Sequence, residues 1–158
     1  MKSKIKHLFG GIKGTIIVVL TFLLFPFARL FFWHKKIWLV SEHGYEARDN
    51  GYIFFKYMRE NRKDVNCYYA IDFRSSDYPK IKDLGHAIKF GSFKHFAYFC
   101  AARYIVSSKN QGFCPSYYLT LLRKRVHLWS KYIFLQHGIT KDDQKFLYKK
   151  AAKIDLFI

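Results

Sequence analysis

The feature that most constrains this chain is an alternation that begins at Ile37. Short apolar runs recur, each closed by small or polar residues and separated by stretches with helical spacing. Ile37–Ser41 (IWLVS), Cys67–Ile71 (CYYAI), Tyr104–Ser107 (YIVS) and Lys131–Gln136 (KYIFLQ) read as buried strands. Asn50–Arg59 places Tyr52, Phe55 and Met58 at helical spacing, with Asp49 or Asn50 as the cap. A weak strand at Ala87–Phe90 precedes a helix over Ser92–Ala101. Ser75–Pro79 reads as a turn or loop, and Tyr117–Leu122 is ambiguous. Asp142–Lys150 reads as a polar helix with carboxylates in its first turn, and Ile154–Ile158 as a further strand. Strands that alternate with helices pair in parallel through crossovers, so the expected fold class is α/β with a parallel sheet. In such sheets ligands gather beyond the carboxyl ends of the strands. The residues to read for function are therefore Ser41–Gly44, Asp72, Ser107–Asn110 and Gln136–Gly138. A domain that stops on a strand is expected to be the N-terminal part of a longer protein.

Charge is distributed unevenly. The chain has 158 residues and a formal net charge of +17. Residues 1–36 hold seven Lys or Arg and no carboxylate, residues 37–83 hold eight of each sign, and residues 84–141 hold nine cations and no Asp or Glu. Such a surface attracts anions: phosphates, an anionic polymer, acidic lipids or nucleic acid. Most aromatics fall on core periodicities, as in Phe93/Phe96/Tyr98/Phe99, which argues against single-stranded nucleic acid as the partner. Three scattered cysteines without a C-x-x-C spacing fit a reducing compartment and no disulfide framework. His86 and His95 lack the spacing of a metal pair, so no metal site is expected.

The first 36 residues form a separate segment. Thr15–Ala28 is a run of 14 residues without charge, and apolar character resumes from Leu30 to Trp33. The stretch approaches the ~20 residues that span a bilayer. Arg29 lies inside it, Pro26 is expected to kink it, and lysines flank both ends. A helix lying in the cytoplasmic interface of the membrane fits these features better than a simple span; a buried core helix is the alternative. Gly10, Gly11 and Gly14 match no phosphate loop and read as a flexible lead-in.

Two strings carry possible chemistry. In Gln136-His137-Gly138-Ile139-Thr140-Lys141-Asp142-Asp143 a strand delivers a histidine into a glycine turn before a helix. An imidazole there can take a proton from an attacking hydroxyl beside a phosphate-binding helix terminus. It can equally cap the turn. In Ser41-Glu42-His43-Gly44-Tyr45-Glu46-Ala47-Arg48-Asp49-Asn50-Gly51, Arg48 can clamp a phosphate or pair with Glu42, Glu46 or Asp49.

In these strings the chain resembles the CDP-glycerol glycerophosphotransferases, the teichoic-acid primases and polymerases. The matching residues are Trp38–Met58 (WLVSEHGYEARDNGYIFFKYM), Tyr104–Ser108 (YIVSS) and Phe134–Asp143 (FLQHGITKDD). The resemblance implies the N-terminal half of a GT-B-type transferase with two Rossmann-like domains. Residues 37–158 would be the acceptor-side domain, with residues 1–36 a membrane-associating segment and the C-terminal nucleotide-binding domain absent. It implies that an acceptor hydroxyl on a lipid-linked or polymeric glycerol phosphate attacks CDP-glycerol and releases CMP, without a further cofactor. His137 takes the catalytic role, and Gln136, Gly138, Lys141, Ser41, Arg48, Asp49, Asn50 and Ser108 surround the substrate. The expected location is the cytoplasmic face of the membrane, and the fragment is expected to be inactive alone. A sugar-nucleotide glycosyltransferase and a membrane-bound polyanion-binding module remain alternatives.

Overall fold

The computed structural model describes residues 2–109, 112–123, 130–136 and 154–158. A long helix, α1 (Lys2–Phe32), leads through a 3-10 turn (Trp33–Lys35) into β1 (Trp38–Val40). The order then runs α2 (Asn50–Asn61), β2 (Cys67–Ile71), α3 (Tyr78–Leu84), β3 (Ala87–Lys89), α4 (Phe93–Ala101) and β4 (Tyr104–Ser107). It ends with α5 (Tyr117–Arg123), β5 (Lys131–Phe134) and β6 (Leu156–Phe157). The polar helix expected over Asp142–Lys150 lies outside the described residues.

The strands form one six-stranded sheet in the order β3-β2-β1-β4-β5-β6, and every neighbouring pair is parallel. The chain grows outward through β2 and β3, then returns so that β4 pairs with the other side of β1. Trp38, Leu39 and Val40 face Tyr104, Ile105 and Val106 across that pair. The reversal between β1 and β4 is the topological switch point, where ligands of open α/β sheets bind.

Both faces of the sheet are covered, which is why its strands read as continuous apolar runs. Leu39, Ala70, Ile105, Tyr132 and Phe134 join one core with residues of α4 and α5. Val40, Tyr69, Ile71, Val106 and Ile133 join the other with Phe55 and Met58 of α2 and Ile81 of α3. Capping follows the expected chemistry. Asp49 caps α2 by accepting from the Asn50 amide, and Ser92 caps α4 by accepting from the His95 amide.

Three local expectations need correction. The turn expected over Ser75–Pro79 runs into α3, which starts at Tyr78. Pro79 sits in the first turn, where its missing N–H has no partner to lose. The ambiguous Tyr117–Leu122 is helical. The glycines expected as a flexible lead-in lie inside α1, and Gly14 is buried against the Tyr118 ring, where a Cβ would come within 2.5 Å of a ring carbon.

Helix α1 continues through Pro26 and lies along α4 and α5. Ile17, Val18, Leu24, Phe25, Ala28 and Phe32 turn toward the core. Ile12, Ile16, Val19, Leu20, Leu23, Phe27, Leu30 and Phe31 occupy the other side at helical spacing and are exposed. The helix is thus apolar on both faces but docked by one. From Ile12 through the 3-10 turn to Lys35 it is long and apolar enough to cross a membrane. Arg29 is placed among the docked residues, and its guanidinium donates to the carbonyls of Ala101 and Ala102 at the C-terminus of α4. That end of a helix carries unpaired carbonyls and partial negative charge, so the cation is satisfied there.

Candidate active site

The loops after β1, β4 and β5 meet at the carboxyl edge of the sheet. The loop after β1 is organised by Glu42, whose carboxylate is fully buried. It accepts hydrogen bonds from the backbone amides of Arg48, Asp49 and Tyr52 at 3.0–3.2 Å. Burial pushes the Glu42 carboxyl above its ordinary value, and the three amides oppose that shift. Gly51 lies against this carboxylate, where a Cβ would stand 2.9 Å from Oε1. On the other side, Gly112 packs on the Glu42 backbone carbonyl so closely that a Cβ would overlap it. The loops after β1 and β4 therefore touch backbone to backbone at the switch point.

Each candidate residue has a definite place. Ser41 is buried, and its hydroxyl donates to the Ala70 carbonyl at 2.8 Å. Arg48 does not pair through its guanidinium with Glu42, Glu46 or Asp49; it reaches Asp77 instead, with Nε 2.6 Å from Oδ2. It also donates to the Ser76 hydroxyl and remains 65% exposed. The Asp77 carboxylate is buried, which by itself raises its pKa, but Lys80, Arg48 and the Ala47 amide outweigh burial and hold it below the ordinary value. Asp49 caps α2 with one oxygen and holds the Lys109 ammonium with the other, Oδ2 to Nζ being 3.0 Å. Asn50 donates from Nδ2 to the Gln136 carbonyl, which lies just beyond β5. Ser108 is buried, and its hydroxyl has no hydrogen-bond partner among the described residues.

The two strings singled out in the sequence therefore meet: Asp49 and Asn50 of the first reach Lys109 after β4 and Gln136 after β5. His137, Gly138 and Lys141 lie outside the described residues.

Some of the residues that build this edge escaped sequence reasoning. Lys109 was marked only by its place after β4; its pairing with Asp49 was not legible, because it depends on the parallel pairing that sets β4 beside β1. His95 is fully buried and bridges two loops. Its Nδ1 accepts from the Gly91 amide, so Nε2 carries the proton and donates to the Phe113 carbonyl at 3.1 Å. Burial lowers its pKa to about 3 and keeps it neutral. It holds the segment next to Gly112, behind the switch point, and bears on the site only through that segment. In the sequence His95 stood out only as one of two histidines without the spacing of a metal pair.

This arrangement supplies an exposed guanidinium, an ammonium and a buried hydroxyl at the carboxyl edge of the sheet, a set suited to phosphate groups. Comparison with known proteins agrees. Residues 23–146 match the family described as CDP-glycerol:poly(glycerophosphate) glycerophosphotransferase. The minor teichoic acid biosynthesis protein GgaB of Bacillus subtilis (strain 168) is 30% identical over 126 residues, which is 78% of this chain. The chain spans only 14% of that protein's length. No solved structure matches it. The family match covers most of the sheet and both motif strings, and on that ground the chain belongs to the CDP-glycerol:poly(glycerophosphate) glycerophosphotransferase family.

Proposed function

We propose that this chain is the acceptor-side half of a glycerophosphotransferase that extends a teichoic-acid-type or capsular polymer from CDP-glycerol at the membrane surface. The observation that carries the reading is the contact between the two motif strings, Asn50 donating to the Gln136 carbonyl at the switch point of a parallel sheet. The family match supports the reaction class, and the similarity to GgaB, a minor teichoic acid biosynthesis protein, supports the polymer class.

In this reading a hydroxyl on the acceptor attacks the β-phosphorus of CDP-glycerol. The new bond is from the acceptor oxygen to that phosphorus, and the broken bond is the bridging P–O bond to CMP, which leaves with the electron pair. His137, the residue after Gln136, takes the hydroxyl proton. Lys109 and Arg48 offset phosphate charge, and the Ser108 hydroxyl donates to a phosphate or acceptor oxygen. The donor's nucleotide sits against a second, C-terminal domain in a GT-B-type cleft. In this reading the domain lies on the cytoplasmic face of the membrane, and the exposed apolar side of α1, docked by its other side, supports a surface contact.

The test is CMP release from CDP-glycerol by membranes carrying this chain or a C-terminally extended version, with acceptor present. We expect activity in the extended form only, and a loss of about a hundredfold or more in His137→Ala. Unchanged turnover in that variant would remove His137 from the mechanism. No CMP from either form, with release from a UDP-sugar instead, would replace the donor.

A further inference from the structure

A second cluster of cations lies at the opposite edge of the sheet. A pocket of about 370 Å³ opens between the end of α1, the end of α4 and the N-terminal ends of β1, β4 and β5. Arg29, Lys36, Arg103 and Lys131 line it with His34 and Trp33, and among the described residues no carboxylate does. Among the described residues no ion pair engages Lys36, Arg103 or Lys131. Lys36 precedes β1, Arg103 precedes β4 and Lys131 begins β5, so parallel pairing gathers three cations that are far apart in sequence. Such a group of exposed like charges attracts an anion.

What surrounds the pocket identifies the anion's source. Trp33, on its rim, is 74% exposed. Phe27, Leu30 and Phe31, just before it on α1, are also exposed. A free phosphate site has no use for an apolar rim. An amphipathic surface with an aromatic residue beside cations is the chemistry of a bilayer's headgroup boundary.

We propose that this pocket holds the phosphate of an anionic phospholipid headgroup while the exposed apolar face of α1 lies among the acyl chains. The site is separate from the switch-point edge, and the inference stands whether or not the chain takes part in glycerophosphotransfer. Arg29 contributes charge at the pocket's edge but is already bound to the end of α4, so Lys36, Arg103 and Lys131 carry the recognition.

The test is flotation of the full chain with phosphatidylcholine vesicles, with and without phosphatidylglycerol. A basic residue at an anionic surface contributes roughly a fivefold factor to partitioning. We expect the wild type to favour the phosphatidylglycerol vesicles by at least about tenfold. The triple variant Lys36→Ala/Arg103→Ala/Lys131→Ala should lose that preference while still floating with phosphatidylcholine alone, which also shows that α1 is intact. A control of equal charge change on α2, α3 and their flank, Lys56→Ala/Lys63→Ala/Lys82→Ala, should keep most of the preference. Retention in the pocket variant, or equal loss in both, overturns the proposal. So does thermal stabilisation by inorganic phosphate that depends on the three residues in a chain showing no vesicle preference, which would make this a site for a soluble anion.

Discussion

Glu42 shows how a single side chain sets the geometry of a loop. It holds three amides, and its neighbours Gly51 and Gly112 are small because it and its own carbonyl fill the space. Gly112→Ala should therefore destabilise the chain by about 2 kcal/mol or more, since backbone meets backbone and neither can rotate away; the melting temperature reads this. Raised in the folded state, the Glu42 carboxyl binds a proton more tightly there than in the unfolded chain. Its contribution to stability is therefore largest below pH 4.5 and declines as pH rises through its folded value. His95 acts in the opposite sense. Its pKa falls from 6.5 to about 3 on folding, so stability is full above pH 6.5 and is lost as pH falls through that window. Denaturant midpoints of His95→Gln should be lower at neutral pH and should lose the part of the acid slope between those values. Ser108→Ala should leave the melting temperature unchanged or raise it slightly, because no partner is stranded, while weakening acceptor or donor use in the transferase assay. Of the residues named from sequence, Arg48, Asp49, Asn50, Gln136 and Ser108 do come together at one edge. Their partners were not legible: nothing in the string reveals that Arg48 reaches past three nearer carboxylates to Asp77, whose burial is set by the fold.

At the level of elements, strands were easier to read than helix ends. Cys67–Ile71 and Tyr104–Ser107 match their apolar runs because a strand buried on both faces has no polar positions to blur its limits. Helix α3 was hidden because its only buried residue is Ile81, and a helix that buries so little shows no stripe. In α1 the periodicity is masked for the opposite reason, since both faces are apolar. Arg29 looked like an obstacle to membrane insertion when read along the sequence. In the fold it is on the docked face, closing α4. Arg29→Ala should lower stability by about 1 kcal/mol, the usual value of a cation at a helix C-terminus. Arg29→Lys should recover part of it, because an ammonium keeps the charge and loses the planar fork.

For the whole molecule, the parallel pairing follows from the alternation of strands and helices, whereas the strand order and its switch point, which the family match covers, emerge only in the fold. What could not be read is how α1 joins the rest, because apolar residues facing a protein and apolar residues facing lipid look alike in a sequence. Removing residues 1–32 should uncover the apolar surface of α4 and α5 and turn the remaining chain toward aggregation, which light scattering would detect. The contact of Gly14 with the Tyr118 ring has a further consequence. It works as a locating pin: rotate or slide the helix by one residue and a side chain meets the ring. The azimuth of the greasy stripe relative to the sheet is thereby fixed. On the membrane contact proposed above, a domain docked in this way would meet the bilayer with one attitude only, its switch-point edge held in a constant direction, and the proposed acceptor would have to arrive from that side.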